Sequence, residues 1–111
     1  MSRTLEHIEY TEKTELLAQF AKALAHPTRI AILQYLDQQS CCFTGDLVEI
    51  FPLAQSTISQ HLKELKNAGL IQGELNPPKI RYCINQDNWM IVKELFADFF
   101  GSININQNCK V

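Results

Sequence analysis

Apolar residues recur along this chain at intervals of three and four, except in one short tract where they alternate with polar ones. From about Thr4 to Leu24 the stripe is Leu5, Ile8, Leu16, Leu17, Phe20, Ala21 and Leu24. It predicts one long helix, or two short ones with a break near Tyr10-Thr11. Glu6, Glu9, Glu12 and Glu15 line another face, and Glu9 with Lys13 has the favourable spacing of four, so this face reads as a solvated one. Ala25-His-Pro-Thr-Arg29 then interrupts and restarts the chain. Pro27 suits the first position of a new helix, where its missing N–H is not needed, and Ile30, Ile32, Leu33 and Leu36 supply the buried face. Asp37-Gln-Gln-Ser40 ends that helix, and Cys41-Cys-Phe43 is short and apolar enough to add a small strand.

Two helices in close succession follow. Thr44–Phe51 predicts a short one, and after the tight break Pro52-Leu53-Ala54 a second carries Ile58, Leu62 and Leu65 on one face. Gln55, Ser56, Ser59, Gln60, Lys63 and Asn67 share its other face. Short helices joined this way make a helix-turn-helix, here residues 44–68. The outer face is rich in amide and hydroxyl groups, the types that hydrogen-bond base edges and phosphates. Thr44 serves either as the N-cap of the first helix or as a phosphate contact. Asn67-Ala-Gly69 is a stop signal with Gly69 in the left-handed cap position.

The alternating tract comes next. Leu70–Leu75 and Lys79–Ile84 flank the turn Asn76-Pro-Pro78 and predict a β-hairpin, with Ile80, Tyr82 and Ile84 toward the core and Lys79, Arg81 and Cys83 on the outer face. A hairpin directly after a recognition helix is a wing, here residues 70–84. The last element, about Gln86–Phe100, has Trp89, Val92, Phe96 and Phe99 on one stripe with Ile91 and Leu95 beside it. That is more apolar surface than so small a domain buries alone. The expectation is therefore a two-fold dimer packed through the terminal helices, 1–24 and 86–100. The aromatic residues around Trp89 serve such a core more simply than a small-molecule pocket.

With 111 residues and 46% hydrophobic content, the chain supports one domain, residues 1–103, with the Asn-rich stretch 104–111 as a frayed tail. The fold class expected is α+β, mostly helical: a winged helix-turn-helix with a two-stranded hairpin wing and terminal dimerisation helices. No apolar run reaches the length of a membrane span and no signal-peptide core is present, so the expected location is the cytoplasm. The net charge of −2 argues weakly against a nucleic-acid partner, but its distribution argues the other way. Residues 54–84 hold Lys63, Lys66, Lys79 and Arg81 against Glu64 and Glu74, a balance of +2, so the rest of the chain sums to −4. Positive charge is concentrated where DNA would lie.

Ala23-Leu-Ala-His-Pro-Thr-Arg-Ile-Ala-Ile-Leu33, then Gly45-Asp-Leu47, then Gln55-Ser-Thr-Ile-Ser-Gln-His-Leu-Lys-Glu-Leu-Lys-Asn-Ala-Gly-Leu-Ile71, then a wing closing with Arg81-Tyr82, resembles the ArsR/SmtB family of bacterial winged-helix repressors over about residues 20–84. The resemblance implies a homodimeric repressor that binds an inverted repeat in double-stranded DNA and leaves it when an effector, often a metal or metalloid ion, binds. Matched by position, base-reading and phosphate contacts fall on Gln55, Ser56, Ser59 and Gln60, supported by Thr57, His61 and Lys63. With the cations Lys66, Lys79 and Arg81 and with Thr44, these make up the expected DNA-binding set. His61 is equally well read as a packing residue at the helix edge, and His26 as a helix-entry residue.

The sensing positions depart from the family. Many arsenic and cadmium sensors carry a Cys-x-Cys pair directly before the Asp-Leu, where this chain has Phe43 and Gly45. Zinc-sensing relatives use Asp and His on the final helix, and residues 86–100 contain no histidine, only Asp87, Glu94 and Asp98. Neither common metal site is intact, and no cofactor is expected. Cys41, Cys42, Cys83 and Cys109 form no Cys-x-x-Cys pair, and reduced thiols are the expectation. One reading makes Cys41, Cys42 and Cys109 a site for a thiophilic metalloid or an oxidant; the other makes the cysteines small buried hydrophobes. An alternative to DNA binding is a winged-helix protein-interaction module. An enzyme is not expected, since no nucleophile–base pair, phosphate-binding glycine loop or metal triad appears.

Overall fold

The computed structural model describes residues 10–39, 41–76 and 79–106, without the side chains of residues 41–44, 75 and 76. Helix α1 spans Glu12–Leu24. Thr11, in extended conformation, caps it, its side-chain oxygen accepting from the Thr14 amide at 3.1 Å, so a helix begins at the break foreseen near Tyr10-Thr11. The part of the expected first helix before Tyr10 lies outside the described residues. Helix α2 is Pro27–Gln39, with proline at its first position. His26 Nδ1 accepts from the Thr28 amide at 3.1 Å, which makes His26 the cap of α2. Strand β1 (Cys41–Phe43) leads directly into α3 (Thr44–Ile50), and the recognition helix α4 spans Gln55–Asn67.

The wing is the antiparallel pair β2 (Ile71–Asn76) and β3 (Lys79–Ile84), followed by α5 (Gln86–Ser102). Gly69 ends the recognition helix at φ +85°, as its cap position requires. Among the described residues the sheet has three strands in the order β1-β3-β2, so β3 is central. Cys41 pairs with Cys83, Cys42 with Tyr82 and Phe43 with Arg81.

That third strand corrects the reading of the wing's faces. Tyr82 and Ile84 do pack against the core, but Cys83, placed on the outer face by alternation alone, is only 7% exposed. Ile80, expected inside, is 38% exposed. Cys83 is paired on both edges, with Cys41 and Gln72, and lies beside Leu36 and Trp89, whereas Ile80 is one residue beyond the pairing with β1. A second correction concerns redox state: Cys83 is disulfide-bonded, not a free thiol.

Ile32, Leu36, Leu47, Ile58, Leu62, Leu65, Leu70 and Ile71 are fully buried. Each contributes about 2 kcal/mol by leaving water. They come from α2, α3, α4, Leu70 just before β2 and the first residue of β2, so one core holds the helix-turn-helix and the root of the wing together. Ile30, expected in that core, lies at its edge beside Leu24, Ile84 and Trp89 and stays partly exposed. Helix α1 packs against α5. Val92 of α5 is buried and Trp89, Leu95 and Phe96 pack on the core, while Met90, Ile91, Phe99 and Phe100 remain exposed.

Candidate nucleic-acid interface

On α4 the burial of Ile58, Leu62 and Leu65 turns the opposite face outward. Gln55, Ser56, Thr57, Ser59, Gln60, Lys63, Lys66 and Asn67 are all exposed. Ala54, the N-cap, provides no side-chain hydrogen bond to the first turn. The positive end of α4 is thus left to solvent or to a ligand, and helix N-termini favour anions.

Two carboxylates organise polar groups of this surface. Gln60 Nε2 donates to Glu64 Oε2 at 3.2 Å, one helical turn on. Across the wing, Arg81 Nη2 donates to Glu74 Oε2 at 2.6 Å, with side chains 43% and 51% exposed. The hairpin register places these two residues opposite each other. So exposed an ion pair contributes little to stability, but it holds the guanidinium in place and offsets its charge. Lys79 is exposed near the wing tip.

His61 is half-buried at the edge of α4, its ring against that of His26, centroids 4.4 Å apart and planes at 52°. Burial lowers the His61 pKa below the ordinary imidazole value, His26 and Arg29 lower it further, and Glu64 opposes them. The packing reading of His61 therefore describes its surroundings, although one edge still meets solvent. Of the other positions singled out, Thr44 begins α3, and Cys41 and Cys42 lie in β1, with their side chains outside the described residues. Cys109 is outside them altogether.

The model of the family described as bacterial regulatory protein, arsR family, matches residues 26–72. The arsenical resistance operon repressor of Bacillus subtilis (strain 168) is 37% identical over 92 residues, covering 78% of this chain and 88% of that protein. The chain belongs to the ArsR family. The HTH-type transcriptional regulator YgaV of Escherichia coli (strain K12) is 34% identical over 73 residues, 66% of this chain and 74% of that one. The crystal structure of the transcriptional repressor PagR of Bacillus anthracis superposes with a TM-score of 0.61 at 30% identity, covering 73% of this chain and 93% of that one. This ArsR-family protein is a DNA-binding winged-helix transcriptional regulator.

Sequence reasoning missed several groups that shape the regulator's surface. Glu64 was legible as the acceptor for Gln60 from the spacing of four. Glu74 was legible as the partner of Arg81 once the hairpin register is counted back from the turn. The approach of His26 to His61 had no local signal, because it depends on how α2 crosses α4. Asn88 likewise showed no sign in sequence of its bond to Gly69.

Proposed function

We propose that this regulator is a cytoplasmic homodimeric repressor that binds an inverted-repeat operator and is released by a thiol-reactive metalloid or oxidant. One observation carries the reading: every amide, hydroxyl and ammonium group of α4 from Gln55 to Lys63 is exposed, on a helix whose apolar face is locked into the core. Gln55, Ser56, Ser59 and Gln60 read base edges in the major groove, with Thr57, His61 and Thr44 beside them. Lys63, Lys66, Lys79 and Arg81 meet phosphates, the wing cations along the adjacent groove. The exposed apolar side chains of α5, Phe100 at 65% among them, support burial against a second copy. A two-fold dimer would set two α4 helices about one turn of DNA apart, roughly 34–36 Å.

The test is selection of genomic DNA fragments by the purified protein, with its mass in solution measured in parallel. The selection is repeated with arsenite and with a mild oxidant. Recovery of an inverted repeat by a dimer, lost in a treated sample, is the expected result. Recovery of no specific sequence would replace this reading with the protein-interaction module, and a monomer that still selects a half-site would remove the dimer.

A further inference from the structure

We infer that Cys83 of the wing and Cys41 of β1 form a reversible dithiol–disulfide pair that couples oxidation to release of DNA. The inference rests on the DNA-binding reading above and names its regulatory site. Cys83 is disulfide-bonded. The register pairs it with Cys41, whereas Cys42 is paired with Tyr82. Directly paired residues of antiparallel strands share a face of the sheet with Cβ atoms about 4.5–5.5 Å apart, close to what a disulfide spans after a small adjustment, and the next residue along lies on the other face. Cys41 is therefore the partner, and Cys42 is not.

Cys83 lies where a small reagent reaches it. Cys83 is buried among protein atoms but lines an open pocket of about 620 Å³ between the sheet and α5, together with Leu36, Gln72, Trp89 and Lys93. In a compartment that also holds the DNA, disulfides are transient and regulatory more often than structural. Oxidation by a peroxide balances simply. One thiolate attacks an oxygen of hydrogen peroxide to give a sulfenic acid and release water, and the second thiol displaces the sulfenic oxygen as a second water, so two thiols and one hydrogen peroxide yield a disulfide and two waters. A dithiol reductant reverses the bond by thiol exchange.

The bond's place in the chain gives it leverage. The loop it closes encloses α3, α4, β2 and most of β3, which is the whole helix-turn-helix and most of the wing. Residue 41 opens the strand that runs into α3, and residue 83 lies two positions from Arg81, whose guanidinium is held by Glu74. The disulfide ties β3 to β1, the strand that runs directly into α3, and so fixes the wing against the helix-turn-helix. Cleavage lets the wing adjust to the groove, so the reduced form is the one that binds the operator.

The experiment uses the full chain, treated with hydrogen peroxide or with a dithiol reductant. Free thiols are alkylated and the remaining disulfide is mapped by mass spectrometry. Melting temperature and affinity for the selected operator fragment are measured on both forms. Expected are a Cys41–Cys83 peptide in the oxidised form, a melting temperature about 10 °C higher, and operator affinity about tenfold lower. Cys83→Ser and Cys41→Ser each abolish both differences, and Cys83→Ala does the same if serine disturbs the sheet; Cys42→Ser and Cys109→Ser retain them. Alkylated Cys83 in the oxidised protein, a bond from Cys83 to Cys42 or Cys109, or equal operator affinity in the two forms would overturn the proposal. Should neither form bind DNA, the operator reading fails and the coupling with it, while the peptide map and melting shift report separately on the thiol pair.

Discussion

The side-chain amide of Asn88 in α5 donates a 2.9 Å hydrogen bond to the carbonyl of Gly69, the residue that ends the recognition helix. Asn85 accepts from the Asn88 backbone amide at 3.1 Å, and the Asn85 amide donates to the Leu70 carbonyl at 3.0 Å. The base of α5, the element with the exposed apolar face, is thus fastened to the end of α4, the element with the exposed polar one. A Cβ at position 69 would lie 2.8 Å from Asn88 Nδ2 and would stand on a backbone at φ +85°. Gly69→Ala is expected to cost about 1–2 kcal/mol and Asn88→Ala about 1 kcal/mol. The double variant should lose less than the two together, because the clash and the bond share one amide. Urea denaturation of the three variants checks this, and full additivity would contradict it.

Partial burial of His61, reinforced by His26 and Arg29, makes stability depend on pH. The folded-state pKa of His61 lies below its ordinary value, chiefly through burial and then through His26 and Arg29, against the pull of Glu64. Between the two values the unfolded chain binds more protons than the folded one, so stability rises with pH there. The contribution is complete above about pH 6.5 and is lost as the pH falls through the depressed folded value. His61→Gln should flatten this part of the stability–pH profile relative to the parent protein. An unchanged slope just below about pH 6.5 would show that His61 is not its source.

Gln60 tests the reading role of α4. Gln60→Ala should cost about 1–3 kcal/mol of operator affinity and relax preference at one base pair. Because Glu64 holds the Gln60 amide, Glu64→Ala should also blur preference at that base pair while strengthening binding to all sequences by removing a negative charge. A Gln60→Ala variant with parental sequence preference would take the residue out of the reading set.

The wing pair predicts two opposite changes in salt dependence. Arg81→Ala should weaken binding to all sequences and reduce the salt slope by about 1. Glu74→Gln releases the guanidinium from its carboxylate partner and should strengthen binding and steepen the slope, with folding stability changed by less than about 1 kcal/mol. Affinity titrations at several salt concentrations distinguish the two, and identical slopes for all three proteins would place the wing cations away from phosphate.

What the sequence determined by itself is what rests on local periodicity and turn chemistry. Thr11 and Pro27 open helices, Gly69 closes one, and the interval between Ile58, Leu62 and Leu65 settles which side of α4 faces water, since each signal acts within a few residues. The exposed polar face of α4 was legible for the same reason. Tertiary structure alone decided what depends on elements distant along the chain. Pairing of β1 with β3 buried Cys83 against the alternation of its own strand, and Ile80, one residue beyond that pairing, stayed exposed. The crossing of α2 and α4 brought His26 onto His61, and the seating of α5 brought Asn88 to Gly69. A side chain's neighbours across the core are set by how whole faces pack, and no pattern within one element encodes them.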